Sequence, residues 1–282
     1  MRGAVLLVLV VGCGRLGFGE PPANTPPIDS ASDAPGIIKP DAPPPIDADP
    51  TIDAAQGTGS YQIAQANAPY AALEGAVPVP GFAPGTADDE NFMLVLPFAF
   101  TFFGITYTTV TVSVNGYVTF GAPVTASDSF TNDCPLDGTS PDATIAVFWD
   151  DLLSNPNAPI GTLATATAGA APDRTFSIEW RDLDAWYQAG GGNNAFNQDL
   201  RVTQTLVLHE TGVIEIHYGP RTPPRDASKD CGPQRHLGCS ATVGLEAPGS
   251  TVTQLVQCGT AAGPLAGFQP TIEGRLITFT PQ

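Results

Sequence analysis

Beyond residue 59 apolar residues recur at every second position, and no helical period of three and four persists for more than a few residues. Phe98, Phe100 and Phe102 alternate with Ala99 and Thr101, and Val110, Val112 and Val114 alternate with Thr111 and Ser113. Phe176, Ile178 and Trp180 point one way, with Ser177, Glu179 and Arg181 pointing the other. Side chains that alternate in this manner belong to strands with one buried face. Ile145–Trp149 is apolar at both parities and predicts a central strand covered on both sides. The pattern predicts an all-β domain over residues 59–282. Its 224 residues suffice for one large core.

Parity also predicts strand registers. Around Glu210-Thr211-Gly212 a three-residue loop sets Leu208 opposite Ile214 and Leu206 opposite Ile216, all on one face. Glycine at the third loop position suits a type I turn with a bulge. At Asn115-Gly116 a three-residue loop, 115–117, pairs Val114 with Val118 and Val112 with Phe120. That is favoured over a two-residue turn, because register follows the buried face. A turn at Ala247-Pro248-Gly249-Ser250 sets Leu245 opposite Val252, Ala241 opposite Val256 and Cys239 opposite Cys258.

Composition sharpens this picture. Only 14 % of residues are charged, against about 25 % in average globular chains. The polar surface must therefore come from Thr, Ser, Gly, Pro and Asn, as in β-rich extracellular domains. The net charge is −17 and the only lysines are Lys39 and Lys229, so no basic patch exists to neutralise phosphates. Nucleic acid is excluded as a partner on these grounds, and anionic lipid surfaces are disfavoured.

The first 58 residues have a different character. Arg2 precedes a short apolar run, Ala4 to Val11, which ends in Val10-Val11-Gly12-Cys13. Such a run is too short to span a bilayer, which needs about 20 residues. It resembles the lipobox of bacterial lipoprotein signals, which implies cleavage after residue 12 and a lipid on Cys13. Gly14 rather than aspartate after the cysteine implies outer-membrane sorting, with the lipid-anchored chain on the cell surface or the periplasmic face. Residues 14–58 are rich in Pro, Asp and Ala, with seven acidic residues against Arg15 and Lys39. They carry too few apolar residues for a core and are expected to be a disordered linker. Fully extended, such a stalk reaches about 140 Å at about 3.1 Å per residue.

With Cys13 assigned to lipid, four cysteines remain, an even number expected to form disulfides in an oxidising compartment. The register at Ala247–Ser250 favours Cys239–Cys258, which leaves Cys134–Cys231. The competing arrangement is a local Cys231–Cys239 loop with Cys134–Cys258.

Few residues suggest chemistry. His209-Glu210 begins like a zinc-protease helix motif, but residue 213 is valine and the segment is a hairpin turn. His209 and His217 share an outer face yet lie too far apart along the hairpin to share a metal. Asp182 and Asp184 sit at alternate positions but lack any further glycosidase signature. Asp150-Asp151, ending the buried strand near Asn132 or Asp133, are candidate calcium ligands, although no Asp-x-Asp-x-Asp-Gly spacing supports them. No other cofactor is expected. Trp186 and Tyr187, beside a glycine-rich stretch with Asn193 and Asn194, are candidate ligand contacts for a sugar or protein. No catalytic residues emerge, and the domain is expected to be non-enzymatic.

Six segments occur in a telling order: Pro97–Tyr107, Val112–Gly121, Ile145–Leu152, Phe176–Trp180, Gln204–Gly219 and Ala241–Glu246. Together they resemble the nidogen-type (NIDO) extracellular domain and its bacterial relatives, across roughly residues 92–280. The lipobox and Pro/Asp/Ala stalk resemble surface lipoproteins of myxobacteria and their kin. The resemblance implies an antiparallel, jelly-roll-like β-sandwich for adhesion or contact with matrix or partners, bringing no catalytic residues. The chain departs from the pattern at 184–199, where an insertion carries the aromatic pair. A carbohydrate-binding or glycan-acting role through Trp186–Asn194 is the alternative expectation.

Overall fold

The computed structural model describes residues 59–121, 130–134, 136, 141–154, 161–185, 201–220, 241–249, 252–260, 263–264 and 273–282. Among these residues there are fifteen strands and no helix. One sheet contains β1 (Tyr61–Asn67), β15 (Arg275–Pro281), β11 (Ile214–Tyr218), β10 (Arg201–His209), β9 (Thr175–Ala185), β8 (Thr162–Ala168) and β2 (Val77–Pro78), in that spatial order. The short β7 (Leu152–Leu153) also pairs with β9. The other sheet runs β14 (Gly263–Pro264), β13 (Thr253–Thr260), β12 (Thr242–Glu246), β6 (Thr144–Trp149), β5 (Tyr117–Thr119), β4 (Ile105–Ser113) and β3 (Asn91–Phe102). All pairings are antiparallel.

The inward residues of both sheets form one core, as the alternation requires. Phe100, Phe102, Val112, Ile145 and Val147 of one sheet meet Ile178, Trp180, Leu206, Ile216 and Phe279 of the other, each essentially without solvent exposure. The sequence expectation of an all-β antiparallel sandwich holds. β6 is central and buried at every position. Its second face builds a smaller cluster in which Ala146 and Trp149 pack with Tyr117 and Leu136.

The registers agree in part. The β10–β11 hairpin pairs Leu208 with Ile214 and Leu206 with Ile216, as parity demands. Gly212 adopts φ +89°, and its N–H donates to the His209 carbonyl at 2.8 Å. The β4–β5 connection keeps the expected three residues but comprises 114–116 instead of 115–117, so that Val112 pairs with Val118 and Thr111 with Thr119. The buried face is preserved by a two-residue slip, which parity alone does not detect. The β12–β13 register also differs: Leu245 pairs with Gln254, and Ala247 N–H donates to Val252 at the loop. A bulge after Val243 then sets Thr242, not Cys239, opposite Cys258. The β3–β4 turn places Phe103 at φ +47° and Gly104 at φ +82°, the two positive angles of a type I′ hairpin.

Candidate functional site

The Asn115-Gly116 turn organises one corner of the second sheet. Gly116 has φ +78°, and a Cβ there would lie 2.1 Å from the Phe148 carbonyl oxygen. That close approach lets the Gly116 carbonyl accept from Val147 and Phe148 N–H at 3.0 and 2.9 Å. Asn115 is fully buried. Its Nδ2 donates to Asp89 Oδ1 at 3.0 Å, and its Oδ1 accepts from Leu152 N–H at 2.7 Å. Asp150, also buried, accepts from the following Asp151 N–H at 3.0 Å and so caps the turn after β6.

This scaffold gathers the carboxylates of Asp88, Asp89 and Asp151 with ligand oxygens all within 4.8 Å of one another. Although Asp88 as a residue is exposed, its carboxyl end is crowded. Lost hydration, then the charges of Asp89 and Glu90, push its pKa up to about 6. Of the expected calcium pair only Asp151 belongs to this group, while Asp150 is turned to its capping role. Asn132 lies elsewhere, its Nδ2 donating to Thr242 Oγ1 at 3.0 Å, and the Asp133 carbonyl accepts from the same hydroxyl. Asp88 and Asp89 were not singled out in the sequence. Their signal was visible as the run Asp88-Asp89-Glu90 directly before a twelve-residue strand without charge.

That strand, β3, is the edge of its sheet. Val114 N–H donates to the Glu90 carbonyl at 3.1 Å, and the phase continues through Phe92↔Val112 and Leu94↔Val110. Even-numbered residues therefore bond to β4, and Asn91, Met93 and Val95 turn their N–H and C=O groups to the open side. Met93 and Val95 are 68 % and 78 % exposed. Further along, the edge is closed: Arg174 Nη1 donates to the Pro97 carbonyl at 2.9 Å and its guanidinium lies over the Phe98 ring. Glu210 holds Arg174 there through its Nε at 2.8 Å, and this hydrogen bond first, then the charge, keeps the Glu210 carboxyl below its usual range. On the opposite sheet, β1 is closed at Tyr61, whose N–H and C=O are both taken by the Gln254 side-chain amide.

On the outer face of the first sheet Glu179 is buried. It accepts from the Tyr70 hydroxyl and from Leu73 N–H, and pairs with Arg181 at 2.6 Å. Burial, then the bond to Glu179, raise the Tyr70 hydroxyl pKa well above its usual value. Alternation placed Glu179 outward correctly, but nothing local signalled that residues 68–76 cover it. His209 and His217, set apart in the sequence reading, both approach Glu215 Oε2, at 3.4 and 3.2 Å. The two Asp182/Asp184 carboxylates do not form a matched pair. Asp184 is buried with Arg201 3.9 Å away, and Asp182 takes φ +53° in a bulge opposite Thr203.

Cys258 is bonded to Cys134, with Cα atoms 5.2 Å apart. This corrects the favoured Cys239–Cys258 and Cys134–Cys231 pairing. The physical reason is the slipped β12–β13 register, which sets Cys258 opposite Thr242. Cys231 and Cys239 lie outside the described residues, as do Cys13, the 1–12 signal, the linker, Trp186, Tyr187, Asn193 and Asn194.

A two-sheet antiparallel sandwich, cross-linked by a disulfide and showing an open strand edge beside an acidic corner, defines a surface-rich β-module. The chain belongs to the nidogen-related family (NIDO related), which matches residues 60–281. No curated protein and no solved structure matches it. A nidogen-related domain is consistent with an extracellular binding domain.

Proposed function

We propose that this protein is a non-enzymatic, lipid-anchored protein of a bacterial cell envelope. Its nidogen-related sandwich is held out on the Pro/Asp/Ala stalk for adhesion or for contact with matrix or partner proteins. The family match over residues 60–281 carries this reading. The lipobox-like Val10-Val11-Gly12-Cys13 and the Cys134–Cys258 disulfide support it, since disulfides persist in oxidising compartments. Gly14, in place of an aspartate after Cys13, supports outer-membrane placement. The glycan alternative rests on Trp186–Asn194 and gains no support from the family match.

Surface proteolysis of intact cells, with mass spectrometry of what stays in the membrane, tests the reading. The expected result is loss of the 59–282 domain and recovery of an acylated Cys13 peptide. An unmodified amino terminus would overturn the anchor. Complete protection of the domain would overturn surface display.

A further inference from the structure

We propose that the open edge of β3, at Asn91–Val95, is a strand-addition site for an extended partner peptide that is apolar at alternate positions and carries lysine or arginine at its carboxy-terminal end. This deepens the extracellular-binding reading and rests on it.

The argument begins with the backbone. Asn91, Met93 and Val95 present N–H and C=O groups to the open side, in the spacing that another strand requires. Exposed edges of this kind are normally blunted by charge, proline or cover, because they recruit other chains. This protein applies those devices elsewhere. Gln254 fills the edge of β1 at Tyr61, and Pro97 with Arg174 blocks β3 beyond residue 96. Among the described residues the stretch between Glu90 and Leu96 has neither. Its outward side chains are Met93 and Val95, both well exposed, flanked by Thr109 and Thr111 on β4. An added strand would lay its own alternate apolar residues beside them.

Charge selects the occupant. Asp88, Asp89 and Glu90 immediately precede the edge, and Asp151 joins their group. Asp88, Asp89 and Glu90 have no basic partner among the described residues. A strand added antiparallel to β3 brings its carboxy-terminal end to this acidic corner, where a cationic side chain would be drawn in. A second copy of the chain, at a net charge of −17, is the less suited occupant.

The test uses the full mature chain and a synthetic peptide of alternating threonine and valine ending in two lysines, followed by titration calorimetry. Three peptide controls accompany it: one with lysines moved to the amino terminus, one ending in glutamates, and one N-methylated on alternate residues. Val95→Pro removes an N–H that faces the open side and leaves the ladder to β4 intact. Asp88→Asn with Glu90→Gln removes charge without touching the buried Asn115–Asp89 bond.

The expected result is that the first peptide binds. Val95→Pro or N-methylation should weaken it by about tenfold or more, the worth of roughly one lost hydrogen bond of about 1.4 kcal/mol. The charge variant should weaken it several-fold, and the glutamate peptide should not bind. No binding, or binding indifferent to Val95→Pro and N-methylation, overturns the proposal. So does a wild-type dimer that Val95→Pro dissociates, since a second copy would then own the edge. Adhesion of the wild-type and Val95→Pro domains to extracellular matrix is measured alongside. Adhesion that persists without peptide binding removes the edge proposal and leaves the broader reading standing; loss of adhesion by the wild-type domain removes the broader reading itself.

Discussion

The two sheets hide their outer faces by opposite means. On the first sheet a non-strand segment, residues 68–76, lies over a buried charge: Tyr70 and Leu73 both donate to Glu179, and Arg181 neutralises it. On the second sheet the covering residues 130–134 and 136 meet an apolar surface. Leu136 packs on Tyr117, Ala146 and Trp149, and the Cys134–Cys258 bond pins the segment to β13. A buried carboxylate must have all its partners in place at once or it destabilises the fold. An apolar contact tolerates imprecision and can be secured covalently. The first cover is therefore expected to be brittle to point substitution, the second to reduction.

Glu179→Ala should break the first cover most severely. It leaves Arg181, the Tyr70 hydroxyl and the Leu73 N–H without their acceptor. Breaking a buried pair costs about 3–5 kcal/mol, and the partial exposure of Arg181 places the expectation near the lower end, about 3 kcal/mol. The denaturant midpoint measures it. A loss under about 1 kcal/mol would show that Glu179 does not hold the segment.

The second cover should yield next. Removing Cys134 and Cys258 together, each to serine, opens a cross-link across 124 residues, and about 2–4 kcal/mol should be lost. Non-reducing peptide mapping should recover the 134–258 linked peptide, and a 239–258 peptide in its place would contradict the register described above. In the wild-type chain a reductant should lower the melting temperature, while Glu179→Ala should lower it in either redox state. Equal sensitivity of both covers to reductant would erase the contrast between them.

Tyr70→Phe is the milder lesion of the first cover. It deletes the hydroxyl that donates to Glu179 and contacts Thr205 Oγ1 at 3.0 Å, yet leaves Arg181 in place. A loss of about 1–2 kcal/mol is expected, the scale of hydrogen bonds to a charged group. Proteolysis within 68–76 should rise in parallel.

The contrast also marks what a sequence conveys. Phe98–Phe102, Phe176–Trp180 and Leu206–Ile216 announced strands and faces because period two is a local property. The β10–β11 register was legible because one short loop admits one parity solution. At Val112–Val118 and Leu245–Gln254 parity allowed slips of two, and a bulge after Val243 decided the partner of Cys258. Glu179 looked like an ordinary outward carboxylate because its cover comes from more than a hundred residues upstream. The acidic corner divides in the same way. Asp151 was picked from its place at the end of a buried strand, but Asp89, with Asp88 beside it, is held there through Asn115, a contact that spacing does not encode.

Asp88 offers the smallest and most directional test, because it is an acid surrounded by acids where Glu179 is an acid surrounded by donors. Its pKa near 6 in the fold exceeds the ordinary 3.8, so the folded chain binds this proton more tightly than the unfolded one. The Asp88 contribution to stability should therefore rise as pH falls from above 6 towards 4, and the destabilisation from its charged form should be complete above 6. Asp89, Glu90 and Asp151 are the titratable groups that face it. Asp88→Asn removes the charge at every pH. At pH 7 the variant should melt slightly above the wild type, and the gap should narrow as pH falls through 6 and close below about 3.8, where Asp88 is neutral in the folded and the unfolded chain alike. A gap that stays constant across this range would mean that Asp88 titrates normally. The carboxylates of the corner would then be no more crowded than any other part of this acidic surface.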